Sequence, residues 1–122
     1  MKCILFIEDE PSLQKTFGEI LKQEGYEVVS ALDGETGLRL VKEKKPDLIL
    51  LDLILPEMNG FDVLKKIKED PEIKEIPVIV LTNLEGVADV DKAIELGATT
   101  YLVKAQYNLE EVVGKIKKML NE

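Results

Sequence analysis

The chain has 122 residues, 45% of them hydrophobic and 5% aromatic with no tryptophan, enough for one aliphatic core and too few for a second domain. A formal net charge of −8, from 24 acidic against 16 basic residues, argues against direct nucleic-acid binding through a basic patch. A single cysteine, Cys3, excludes an internal disulfide, no apolar run approaches a membrane span, and Glu8 and Asp9 come too early for a signal peptide, so a cytoplasmic protein without membrane contact is expected.

Cys3–Ile7 is an apolar run without a polar alternate, as strands buried on both faces of a parallel sheet read. Pro11 then suits the first turn of a helix with Leu13, Phe17, Ile20 and Leu21 on one face, and Gly25 supplies its stop. Glu27–Ala31 is a weaker run and reads as an edge strand. Leu38 and Val41 mark a second helix. The short glycine pair Gly34-Glu35-Thr36-Gly37 at its start has no phosphate-loop lysine, so nucleotide binding has little support. Leu48–Leu51 is a further buried run, followed by a helical face at Phe61, Leu64 and Ile67 that ends at Asp70-Pro71. Val78–Leu81 precedes Val87, Val90 and Ile94, closed by Gly97. The run Tyr101–Val103 reads, like the first, third and fourth, as a strand buried on both faces. Asn108 then reads as the N-cap of a last helix bearing Leu109, Val112, Val113, Ile116 and Leu120 on one side. Strands and helices alternating in this way predict one α/β domain over residues 1–122, doubly wound about a five-stranded parallel sheet. The last helix reaches the end of the chain, so no output domain is expected after it, and Met1 beside the first strand suggests a natural start.

In an open parallel sheet, functional groups collect beyond the carboxyl ends of the strands. Here those ends carry Glu8-Asp9-Glu10, Asp52, Thr82-Asn83 and Lys104. Each has a plain reading alone: Glu10 as a helix cap, Thr82 as a turn former, Lys104 as a solvated cation. Together they form a pattern. Close carboxylates repel one another, and a hard cation with a preference for oxygen relieves them. A carboxylate can also act as a nucleophile and form an acyl phosphate, with Thr82 and Lys104 donating to the phosphoryl oxygens. The constellation reads as phosphoryl transfer onto an aspartate.

From Cys3 to Leu120 the chain resembles the response-regulator receiver family of two-component signalling. The resemblance rests on Ile7-Glu8-Asp9-Glu10-Pro11, Pro46-Asp47-Leu48-Ile49-Leu50-Leu51-Asp52, Pro56-Glu57-Met58-Asn59-Gly60, Pro77-Val78-Ile79-Val80-Leu81-Thr82 and Gly97-Ala98-Thr99-Thr100-Tyr101-Leu102-Val103-Lys104. It implies a flavodoxin-like fold with strand order 2-1-3-4-5. It implies Asp52 as phosphoacceptor, and Mg²⁺ held by Asp9, Asp52 and the backbone carbonyl of Ile54, with Glu8 reaching the metal through water. Thr82 then corresponds to a switch hydroxyl, Tyr101 to an aromatic that rotates inward as Thr82 moves, and Lys104 to a phosphate-binding lysine. Gly60 shapes the loop after Asp52. A hydrogen bond from Thr82 to a charged phosphoryl oxygen contributes about 1.5–3 kcal/mol, enough to bias a two-state surface.

The resemblance also implies partners. A histidine kinase or histidine phosphotransfer protein would donate the phosphoryl group, because the chain has no histidine of its own. A downstream protein would read the face made by the fourth helix, last strand and last helix. Four departures from the family's pattern stand out. Ala105 replaces a proline usually preceded by a cis bond, so a trans Lys104–Ala105 peptide, or a strained cis one, is expected. Asn83 stands where a smaller residue is common and would narrow access to Asp52. Ile54 and Leu84 put apolar side chains beside the site. Thr99-Thr100 replaces acids used by DNA-binding members that dimerise through the last strand.

Two other readings compete. A phosphatase of the haloacid-dehalogenase type needs a second acid two residues after its nucleophile, where this chain has Ile54. A degenerate receiver would act as a docking module independent of phosphorylation; intact Asp52, Thr82 and Lys104 weigh against it. The expectation is therefore a signalling module rather than an enzyme, its only chemistry performed on itself.

Overall fold

The apolar runs do become the sheet. In the computed structural model, which describes residues 1–121, β1 is Cys3–Ile7, β2 Glu27–Ala31, β3 Leu48–Leu51, β4 Val78–Thr82 and β5 Thr100–Val103. All pairings are parallel, in the order β2-β1-β3-β4-β5. The continuous runs β3 and β4 are buried along their whole length, as interior strands of a sheet covered on both faces must be. The weaker run β2 lies at one edge, with Glu27 and Ser30 exposed.

The helices are α1 (Pro11–Gln23), α2 (Gly34–Lys44), α3 (Gly60–Glu69), α4 (Val87–Glu95) and α5 (Leu109–Met119). Side chains alternate across each strand, so the sheet sorts its residues between two apolar layers. Ile4, Phe6, Leu48, Leu50, Ile79 and Leu81 pack with Phe17 and Leu21 of α1 and Val112, Val113 and Ile116 of α5. Leu5, Ile7, Ile49, Leu51, Val78 and Val80 face the other way, toward Val41, Val63, Leu64, Ile67 and Ala93 of α2, α3 and α4. Phe6 and Phe17 meet edge to face at 5.4 Å.

Local chemistry sets the helix ends. Asp33, Asn59 and Asn108 each accept a backbone N–H three residues on, at 2.8, 3.0 and 2.8 Å. Glu10 occupies the N-cap position of α1, but its carboxylate takes the Ser12 hydroxyl (3.1 Å) rather than a helix amide, so the capping read for it from the sequence does not hold. Gly25, at φ 96°, ends α1: its N–H donates to the Lys22 carbonyl and that of Tyr26 to the Leu21 carbonyl, a pairing that needs the left-handed conformation glycine adopts freely. Every strand therefore delivers its carboxyl end, and the loop that follows, to the same edge of the sheet.

Candidate functional site

Parallel register brings the expected side chains to one edge. Asp52 directly follows β3, and its backbone N–H donates to the Ile7 carbonyl at the end of β1 (3.0 Å). Glu8 directly follows β1, anchored by its N–H to the Ala31 carbonyl of β2 (2.9 Å). Glu8, Asp52 and Thr82 are all buried, whereas Asp9 is exposed. One carboxylate oxygen from each of Glu8, Asp9 and Asp52 lies within 4.8 Å of the others.

Lys104 completes the group. Its ammonium lies 2.5 Å from Glu8 Oε1 and 2.9 Å from Asp52 Oδ2. Burial disfavours its charge, but the hydrogen bonds and charges of Asp52 and Glu8 outweigh that and raise its pKa. Burial pushes the Glu8 carboxyl up from 4.5 to about 7, with the Asp52 charge adding and Lys104 only partly opposing. One ammonium thus serves acids that would otherwise repel one another. The remaining Asp52 oxygen, Oδ1, accepts the Ile54 N–H at 3.1 Å.

The Lys104–Ala105 peptide is trans, as are the other peptide bonds among the described residues. Alanine allows what proline would hinder: the residue before it enters a helical turn, and Lys104–Gln106 forms a short 3₁₀ segment. The Thr82 hydroxyl oxygen is a long acceptor for the Leu84 N–H (3.5 Å). Tyr101 is half-buried, and its hydroxyl donates to the Leu84 carbonyl (2.9 Å), tying β5 to the loop that carries Asn83 and Leu84. Burial raises the Tyr101 pKa, with the Asp89 and Asp52 charges adding. Asn83 is exposed, and so is Ile54, at 49% of its surface.

The loop after Asp52 is tightly built. Met58 N–H donates to the Pro56 carbonyl (2.7 Å) across Glu57, which sits at φ 64°, a three-residue turn of the strained kind. Gly60 then passes so close to β3's exit that a Cβ there would lie 2.4 Å from both the Asp52 carbonyl oxygen and Leu53 Cα. Sequence reasoning passed over one residue, Gln14. Its amide nitrogen donates to the carbonyls of Phe6 (2.8 Å), Glu8 (3.1 Å) and Ala31 (3.0 Å). The signal was available: a polar residue three before Phe17 and seven before Leu21 lies on the inward stripe of α1.

Hard oxygen donors this close, with burial raising the Glu8 carboxyl to about 7 and Asp9 and Asp52 beside it, fit a divalent cation of the magnesium or manganese class. Comparison with known proteins gives the same direction. The sequence model described as Response regulator receiver domain matches residues 4–117. The chain is 36% identical over 120 residues to the DNA-binding dual master transcriptional regulator RpaA of Synechocystis sp., covering 98% of this chain and 49% of that one. It is 40% identical over 101 residues to the response regulator PleD of Caulobacter vibrioides, covering 83% of this chain and 22% of that one. The chain thus spans half or less of these curated relatives. Among solved structures, a CheY-like receiver domain protein from Methanospirillum hungatei superposes with a TM-score of 0.92 at 28% identity, covering 99% and 94% of the two chains. The Mn²⁺-bound form of the response regulator Rcp1 gives 0.85 at 34%, covering 96% and 92%.

Proposed function

The chain belongs to the response regulator receiver domain family of two-component signalling, and from that premise we propose that it accepts a phosphoryl group on Asp52 and signals through the resulting change of shape. The observation that carries this reading is the Lys104 ammonium bridging Asp52 and Glu8 beside Asp9 at the sheet's carboxyl edge. The reading treats residues 1–122 as one receiver domain.

Asp52 is the nucleophile. Its carboxylate oxygen forms the new O–P bond as the donor's bond to phosphorus breaks, giving a mixed anhydride on the aspartate. The Ile54 N–H on Oδ1 fixes the carboxylate plane and holds its rotamer. Glu8, Asp9, Asp52 and the Ile54 carbonyl are the groups that would hold Mg²⁺, which when bound supplies positive charge against the phosphoryl oxygens. Lys104 moves from sharing two carboxylates to donating to the phosphoryl group, and Thr82 donates its hydroxyl to another phosphoryl oxygen. Thr82 precedes the loop that the Tyr101 hydroxyl grips at Leu84, so a shift of Thr82 is transmitted to β5 and α4.

With no histidine in the chain, the donor is a histidine kinase, a histidine phosphotransfer protein or a small acyl phosphate. The downstream target docks on the α4–β5–α5 face, where Val87 and Ile94 leave apolar surface in water. The module turns over no external substrate; its chemistry is its own phosphorylation and dephosphorylation. Its acidic surface makes direct contact with nucleic acid unfavourable, and it works in the cytoplasm without membrane contact. No helix among the described residues is long and apolar enough to cross a membrane.

Incubation with a small acyl phosphate, with and without Mg²⁺, tests this by intact mass. The expected result is a Mg²⁺-dependent gain of one phosphoryl group that is absent in Asp52→Asn. No gain under either condition would replace this reading with a docking module that works without phosphorylation.

A further inference from the structure

We infer that Gln14, through its side-chain amide, is a positioning residue for the cation-binding loop at the end of β1. The inference rests on the reading that Glu8, Asp9 and Asp52 hold a divalent cation. Gln14 projects from the first turns of α1 and is buried, 6% exposed. Its amide nitrogen lies within 2.8–3.1 Å of the Phe6, Glu8 and Ala31 carbonyls, so one side chain joins the ends of β1 and β2 to α1.

The Glu8 carbonyl is the informative partner. It belongs to the peptide plane between Glu8 and Asp9, beyond the last β1–β2 ladder pair, Ile7 with Ala31. Fixing that plane fixes the direction in which Asp9 leaves the backbone. Asp9 needs such help, being exposed, unlike Glu8 and Asp52, which are buried and already held by Lys104.

The other end of the amide shows that the donors are what matter. Gln14 Oε1 is buried with no hydrogen-bond partner among the described residues. A buried acceptor left unpaired is unfavourable, and methionine would fill the same space without it. A glutamine kept there for its shape alone would carry that cost for nothing. Held for its donors, it pairs the Glu8 carbonyl, which lies beyond the ladder, and adds a second bond to the Ala31 carbonyl that already accepts the Glu8 N–H. Groups that orient metal ligands from behind typically change metal affinity by about 10–100-fold when removed.

The test is an NMR titration with Mg²⁺ of the full chain, as wild type, Gln14→Met and Gln14→Asn, the last keeping an amide too short to reach. Leu21→Val, a core change on the same helix away from the carbonyls, controls for general loosening. The expected result is Mg²⁺ affinity weaker on the order of tenfold in Gln14→Met and Gln14→Asn and unchanged in Leu21→Val, with the Glu8 carbonyl ¹³C resonance moved before any metal is added. Affinity within twofold of wild type in whichever Gln14 variant folds, or equal weakening in Leu21→Val, would overturn the inference. If wild type itself shows no saturable Mg²⁺ shifts, the cation reading fails instead. The Glu8 carbonyl resonance and the Asp9 amide order parameter, compared between wild type and variants without metal, then decide whether Gln14 holds the loop.

Discussion

At the residue scale the site is a contest between burial and charge. Glu8 is nearly inaccessible and faces Asp52, so its carboxyl is held up at about 7, while an unfolded chain would leave it near 4.5. Between those values the folded chain keeps a proton that the unfolded chain has lost. The contribution of Glu8 to stability is therefore full below 4.5 and is lost as pH rises through 7. In chelator, Glu8→Gln is expected to exceed wild type in stability by about 1–3 kcal/mol near pH ~8 and by little near pH ~5. Urea unfolding at the two pH values checks this; a gap independent of pH would refute it. Added Mg²⁺ competes with the same proton, so its affinity is expected to rise with pH through about 7. Gly60 is decided by space instead. A methyl group 2.4 Å from the Asp52 carbonyl oxygen meets backbone, which cannot step aside as a side chain can. Gly60→Ala is expected to cost about 1–3 kcal/mol or more and to displace the Asp52 loop, read by denaturation and by the amide shifts of Asp52–Ile54.

At the scale of the element, the helices owe their limits to side chains nearby in sequence. Asn108 and Glu111 cap α5 reciprocally: Asn108 Oδ1 accepts the Glu111 N–H (2.8 Å), and Glu111 Oε1 accepts the Asn108 N–H (3.0 Å). Asn108→Ala is expected to lose about 1 kcal/mol, measured as a shift in urea midpoint with an unchanged slope. Because α5 packs Val112, Val113 and Ile116 against β1, β3 and β4, fraying at its start also loosens the face proposed for partner docking. Amide exchange concentrated at residues 109–112 would show the loss to be local rather than global. The 3₁₀ turn after β5 is a different case. Its first residue is Lys104, so the turn that begins the α5 connection also aims the ammonium at Glu8 and Asp52.

Over the whole molecule, the sheet holds acids from strands far apart in sequence close enough to repel one another, and whatever binds them stabilises the fold. At a Mg²⁺ concentration tenfold above its dissociation constant, the folded chain is expected to gain about 1.4 kcal/mol. A thermal midpoint higher by roughly 3–6 °C would report it. Asp9→Ala is expected to abolish that gain with little change in metal-free stability, since Asp9 is exposed. A midpoint that responds to Mg²⁺ equally in Asp9→Ala would place the cation elsewhere.

The sequence by itself determined the elements and their order. The continuous runs β1, β3 and β4 became interior strands, whereas Tyr101–Val103, which reads the same way, forms the second edge as β5 with Thr100 and Tyr101 half-buried. Pro11, Gly25, Asn108 and Pro71 mark helix limits through local backbone chemistry that any fold would respect. It also placed Glu8, Asp9, Asp52, Thr82 and Lys104 at strand ends, since a parallel sheet sends all those ends to one edge. The strand order rested on likeness to a known family, because periodicity does not say which strand lies beside which. Only the tertiary structure decided that Lys104 bridges Glu8 and Asp52 and that the Tyr101 hydroxyl holds the Leu84 carbonyl. It alone showed that Glu10 leaves the α1 amides uncapped and that Gln14 turns its amide to three carbonyls. The physical reason is range. Propensity, capping and amphipathic spacing act over a few residues, whereas a hydrogen bond between residues 8 and 104 depends on how five strands are laid side by side.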